Sequence, residues 1–142
     1  MTSSAGLPWS LLSEHKRGIL VTVKRDGRPQ LSNVGHTFDA DRQLIRISVT
    51  AGRAKTRNLR RDPRASYYLT SADMNAYLGV DADAELSPVA LDPADPVVDE
   101  LVDMYRLIAG EHGDWDGFRT AMVADDRLVL KLWIKHAYGF AQ

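Results

Sequence analysis

The chain has 142 residues, a mass of 15.8 kDa, 44% hydrophobic and 26% charged side chains, and a mean hydropathy of -0.27. This composition belongs to a chain that buries its own core, and it excludes a disordered tail, a fibrous repeat and a helical membrane span, because no apolar run nears the roughly 20 residues a span needs. There is no cysteine, which removes disulfides, thiolate metal sites and cysteine nucleophiles. Met1 to Trp9 lacks a basic stretch followed by an apolar one, so no signal peptide is expected and the default setting is cytoplasmic.

The net charge of -1 hides a strong asymmetry. Residues 42–64 carry eight basic side chains (Arg42, Arg46, Arg53, Lys55, Arg57, Arg60, Arg61, Arg64) against Asp62 alone, a charge of +7. Residues 65–142 carry five basic and fourteen acidic side chains, a charge of -9. Such segregation points to an anionic partner at the basic block, or to self-association of opposite patches.

In chain order, Pro8 to Lys16 reads as a short helix with proline at a tolerated first-turn position. Ile19 to Val23 is a β-branched run and reads as a buried strand. Asp26-Gly27 is a strong hairpin signal, and Pro29 to Phe38 is the return strand. After a turn at Asp39 to Asp41, Leu44 to Val49 alternates between a polar and an apolar face. These three strands predict an antiparallel meander. Gly52 opens a helix of about ten residues that closes near Pro63. Ala65–Leu69, Ala76–Val80 and, more weakly, Ala84–Leu91 predict further strands. Asp95-Pro96 is a helix start, with apolar residues at helical spacing up to Gly110. Asp114 to Val123 predicts a second short helix, and Arg127 to Ile134 a closing strand. Six or seven strands with few helices in residues 1–142 predict one mainly β domain, a small barrel with peripheral helices.

The helix after Gly52 is the feature with chemistry. A helix start offers free N–H groups and a favourable dipole to an anion, and Arg53 and Lys55 fall in its first turn. Arginine matches phosphate and carboxylate with a planar fork, and lysine adds a compact charge. A phosphorylated ligand, or one that also bears carboxylates, fits this pattern; a solvated basic face paired with the acidic half of the chain fits it equally. Nucleic acid fits less well, because the pI is about 6.4 and no aromatic residue lies between Phe38 and Tyr67. His15, His36, His112 and His136 lack metal-ligand spacing. Glu111-His112 with Asp114 and Asp116 reads as a polar loop, and Trp9, Trp115 and Trp133 as core or interface anchors. No P-loop, GxGxxG or nucleophile elbow is present.

Three stretches together resemble the pyridoxamine 5'-phosphate oxidase-like superfamily, and within it the actinobacterial F420-dependent flavin/deazaflavin oxidoreductase B group. They are Asp26 to Val34, Arg53 to Ser66, and Met104 to His112 with Asp114-Trp115-Asp116; the resemblance runs from about Leu11 to Phe140. It implies a split β-barrel of the FMN-binding type and a homodimer with two cofactor sites at the subunit interface. It implies that Arg53, Lys55, Arg57 and Asn58 hold a cofactor phosphate. It implies that Asn33 and Val34, with Ser48 and Thr50, line the ring, and that the partner subunit adds Tyr77. Relatives often carry tryptophan where this chain has Asn75. The implied cofactor is coenzyme F420, with one phosphate and a chain of glutamates; FMN is the alternative. Eight cations in 23 residues exceed the needs of one phosphate, which favours the polyanionic tail. The expected activity is an F420H2-dependent reductase acting on a small enone-like molecule. The alternatives are an FMN-dependent pyridoxamine 5'-phosphate oxidase-like enzyme and a non-catalytic F420-binding or storage protein. No metal, nucleic acid or membrane is expected to take part. The sequence does not choose a proton donor among solvent, Tyr77 and a histidine, so no catalytic residue is assigned.

Overall fold

The computed structural model describes residues 6–141; part of the Met1 to Trp9 segment read for a signal peptide lies outside the described residues. Leu11 and Leu12 of α1 (Ser10–Glu14) are buried against the barrel. β1 (Arg17–Val23) and β2 (Pro29–Gly35) form the expected hairpin. In its turn Asp26 Oδ1 accepts the Arg28 N–H at 3.0 Å, and Gly27 takes φ +88°, a left-handed conformation that glycine adopts without steric cost.

The expected return strand breaks at His36. The chain leaves β2, turns, and forms β3 (Thr37–Asp39), which pairs with β4 (Leu44–Thr50). α2 (Ala54–Arg61), β5 (Arg64–Thr70), β6 (Tyr77–Leu86), α3 (Pro96–Ala109), α4 (Trp115–Ala124) and β7 (Arg127–Phe140) complete the described elements. The sheet runs β2-β1-β5-β6-β7-β4-β3, all antiparallel. The expected meander is therefore corrected: β2 and β3 lie at opposite edges, and β4 pairs with the closing strand β7. The sheet curls until β2 comes alongside β4. No ladder joins those two, so the barrel has a seam.

Two further expectations shift. Ala76–Val80 and Ala84–Leu91 fuse into β6, which ends at Leu86, and β7 continues past Ile134 to Phe140. The two strands pair along their length, with an irregularity between Asp81 and Ala82 that absorbs one residue of β7.

The interior is filled by alternate residues of each strand, among them Leu20, Ile45, Ile47, Tyr67, Leu78, Val80, Leu128, Leu130 and Leu132. On the outer side of β7, Val129 packs with Leu101 and Met104 of α3, and Phe118 and Met122 of α4 close over them. Glu100 reaches both Arg46 (4.0 Å) and Lys131 (3.8 Å), setting α3 across β4 and β7. Each large apolar side chain so buried stabilises the fold by about 1.5–3 kcal/mol.

Candidate functional site

Beside the seam lies a cavity of about 340 Å³ lined by Asn33, Val34 and Gly35 of β2, Ser48 and Thr50 of β4, Arg53 and Lys55 of the α2 start, and Arg127 of β7. The fold builds it from backbone geometry. Arg53 N–H donates to Thr50 O (3.2 Å), Thr56 Oγ donates to the same carbonyl (2.8 Å), and Ala51 N–H donates to Asp126 O (3.0 Å). These bonds turn the chain sharply from β4 into α2 and aim the helix start at the cavity. Arg53 caps the helix with no side-chain hydrogen bond, and no acidic residue occupies the first turn. The first N–H groups of α2 are thus left for an outside acceptor.

Three cations converge here with no carboxylate in the lining. The Lys55 pKa is lowered, first by burial and then by the like charges of Arg53 and Arg127. Arg127 Nε is buried without a hydrogen-bond partner, and the nearest carboxylate oxygen, Asp125 Oδ2, stands 3.9 Å away. Together the Arg53, Lys55 and Arg127 side chains fit an anion with several acceptor oxygens.

Gly35, Ser48 and Arg127 also border a second cavity of about 250 Å³, walled by Leu101, Met104, Tyr105, Ile108, Phe118 and Met122. The two spaces form one cleft with a cationic arm and an apolar arm. Rings brace the apolar arm from behind: Tyr105 meets His112, Trp115 and Phe118 at centroid distances of 5.1, 5.7 and 5.1 Å. Arg106 sits 4.7 Å over Trp115.

Of the residues the resemblance points to, Asn33, Val34, Ser48, Thr50, Arg53 and Lys55 meet in the cationic arm. Arg57 is exposed one turn along α2. Asn58 is buried and faces inward, donating to Thr22 Oγ (3.1 Å) and Gln30 Oε1 (2.9 Å). Tyr77 lies on the outer face, 5.9 Å from Tyr68. Asn75 sits in the β5–β6 turn, its N–H on Asp73 Oδ1. Sequence reasoning missed Gly35, Arg127 and the whole apolar arm. Arg127 is separated from Lys55 by β5, β6, α3 and α4, and no local motif marks it. Among the described residues, no group of three or more metal-ligating side chains is assembled, and no helix is long and apolar enough to cross a membrane.

A curled antiparallel sheet with an open seam, and a cationic cleft beside it, defines a split β-barrel. Residues 10–140 match the family model described as pyridoxamine 5'-phosphate oxidase, and the chain belongs to that family. Among solved structures it is similar to an F420 reductase (23% identity, TM-score 0.68), covering 97% of this chain and 98% of that one. A conserved hypothetical protein of Mycobacterium tuberculosis aligns at 19% identity and TM-score 0.75, covering 99% and 89%. HutZ, a heme storage protein of Vibrio cholerae, aligns at 18% identity and TM-score 0.68, covering 91% and 89%. At these identities the likeness is one of fold.

Proposed function

We propose that this chain is an F420H2-dependent reductase of small electron-poor molecules such as enones. The observation that carries the reading is the two-armed cleft, with Arg53, Lys55 and Arg127 at one end and an aromatic, methionine-rich wall at the other. Bound there, the reduced deazaflavin supplies a hydride. The chain's own residues supply position and water control. Arg53, Lys55, Arg127 and the free N–H groups of α2 hold the phosphate. Gly35 and Ser48 border both arms, and with Asn33 of the cationic arm they would orient the ring. Leu101, Met104, Tyr105, Phe118 and Met122 exclude water from the reacting face and receive the apolar body of the substrate.

The preference for F420 over FMN rests on surplus charge. Arg53, Arg57 and Arg60 recur along the exposed side of α2, and Lys24, Arg25 and Arg28 stand in the β1–β2 turn next to the helix end, where Arg61 donates to Val23 O at 3.0 Å. Among the described residues, none of Arg57, Arg60, Lys24, Arg25 and Arg28 is in an ion pair with a carboxylate. One phosphate does not use them; a glutamate tail does. A histidine-ligated heme fits poorly, because no histidine lines either arm.

The working unit in this reading is a homodimer. Cross-strand registers place Asn33, Ile19, Tyr68, Gly79 and Tyr138 in one row across five strands on the outer face. Leu31, Tyr138 and Phe140 are exposed. An apolar face of this kind marks an interaction surface, and it runs up to the cleft at Asn33, so a two-fold partner seated on it would reach the site and could bring its own Tyr77 there.

Side-by-side fluorescence titration with F420 and FMN tests the cofactor, with F420 expected to bind at least about tenfold more tightly. Equal affinities, or tighter FMN, would favour the oxidase-like alternative. Turnover of reduced F420 with an enone panel separates a reductase from a storage protein. Light scattering at micromolar concentration tests the dimer, which a mass of 15.8 kDa would refute.

A further inference from the structure

His36 is 2% exposed and Tyr67 is 0% exposed, and neither belongs to the cleft. His36 stands where the chain crosses the seam from β2 to β3, one residue after Gly35, which borders both arms. Its backbone N–H donates to Lys16 O at 2.9 Å. Its Nε2 lies 2.9 Å from Leu12 O, and a carbonyl only accepts, so Nε2 carries the proton. Nδ1 is then bare and accepts the Tyr67 hydroxyl at 2.6 Å. The neutral ring thus ties the corner to α1 and β5, and the backbone N–H ties it to the link between α1 and β1. Lys16 passes the tie onward, since its Nζ donates at 2.8 Å to the carbonyl of Ile108, a residue of the apolar arm.

We propose that His36 is a pH-sensitive positioning residue: neutral, it clamps the β2–β3 corner and fixes the Asn33–Gly35 wall of the cleft; protonated, it frees that wall and weakens cofactor binding. The part of this inference that concerns the cofactor rests on the function proposed above. Protonation at Nδ1 turns the acceptor of the Tyr67 hydroxyl into a donor and leaves that buried O–H without its acceptor. It also buries a cation where no carboxylate waits. The titratable groups facing His36 are Tyr67 of β5 and His15 and Lys16 between α1 and β1. Glu14 of α1 and Arg17 of β1 are exposed, Asp39 at the end of β3 accepts the Arg42 N–H across its turn, and α3 presents Leu107. Burial lowers the His36 pKa and raises that of Tyr67, so the closed corner resists the proton and the open one accepts it. Linkage then makes cofactor binding and proton uptake oppose each other.

Two measurements test this on the full chain. In the ligand-free protein, NMR titration should show the Nε2–H tautomer of His36, and the amides of Asn33 and Gly35 should shift with its protonation. F420 affinity, followed from about pH 7.5 down to about pH 4.5, past the ordinary histidine range because burial holds the His36 pKa below it, should fall at least about fivefold more in the wild type than in His36→Gln, while Tyr67→Phe should move the loss to higher pH. Static amides at Asn33 and Gly35 during the His36 titration would overturn the proposal, as would parallel pH profiles of wild type and His36→Gln. If His36→Gln does not fold, the wild-type amide titration and the Tyr67→Phe profile decide. Absence of F420 binding at every pH would remove the cofactor reading alone, and the amide shifts would still decide whether His36 governs the wall.

Discussion

Asn58 Nδ2 donates to Gln30 Oε1 at 2.9 Å, joining the middle of α2 to β2 beneath the surface. The same amide group donates to Thr22 of β1, and Asn58 Oδ1 accepts from Arg61 at 3.1 Å. With Asn58 7% exposed, every polar atom of this side chain is used inside the protein. Asn58→Ala leaves Gln30 and Thr22 short of a donor and should destabilise the fold by about 1–3 kcal/mol. Urea unfolding with an unchanged m-value measures this. Its effect on anion affinity in the folded fraction should be small beside that of Lys55→Ala.

Lys55 should show opposite effects on binding and on stability. Lys55→Ala removes a charge-assisted interaction of about 1.5–3 kcal/mol, roughly a tenfold to hundredfold decrease in F420 or FMN affinity. It also relieves repulsion with Arg53 and Arg127, so the ligand-free protein should melt no lower than wild type. A thermal melt and a titration on the same sample check both.

The depressed Lys55 pKa adds an alkaline signature. Between its folded value and the ordinary 10.5, the unfolded chain holds the proton that the folded chain has released. Stability from this group therefore rises with pH across that window. Anion affinity falls over the same window, because the departed proton is the charge the ligand meets. Affinity and melting temperature should diverge on the alkaline side in wild type and not in Lys55→Ala.

If the exposed arginines serve a polyanionic tail, the double variant Arg57→Ala, Arg60→Ala should weaken F420 several-fold and leave FMN unchanged. Parallel decreases for both cofactors would place these arginines at the phosphate instead.

Two glycines beneath aromatic rings should respond differently to the same change. A Cβ on Gly18 would come within 2.6 Å of ring atoms of the fully buried Tyr67, whereas one on Gly79 would meet the ring of Tyr138, which is 42% exposed. Tyr138 can swing outward and Tyr67 cannot. Gly18→Ala should cost about 1–3 kcal/mol; Gly79→Ala should cost clearly less in the single chain, as paired chemical denaturation curves would show.

Local signals carried much of the fold. Asp26-Gly27 marked the hairpin, Asp95-Pro96 the start of α3, and the alternation in Leu44 to Val49 the buried face of β4, because each is set by neighbours in sequence. The partnering of β4 with β7 was hidden, since both flanks of an alternating strand look alike until the sheet closes. The break at His36 was hidden too, because the buried partner of its ring, the Tyr67 hydroxyl, lies 31 positions away. The same holds in the cleft. Arg53 and Lys55 announce themselves beside a helix start, whereas Arg127 joins them only when the last strand is laid beside β4.

The seam has a kinetic consequence. Asn33 and Arg127 stand on opposite walls of the cationic arm, far apart in sequence, and they meet only after the intervening strands have paired. A transition state that has not closed the seam has no site to offer. An anion that binds the finished cleft should therefore leave the refolding rate almost unchanged and slow unfolding by nearly its whole binding free energy. The occupied protein would outlast the empty one under heat or protease, because the ligand bridges two walls that no strand ladder joins.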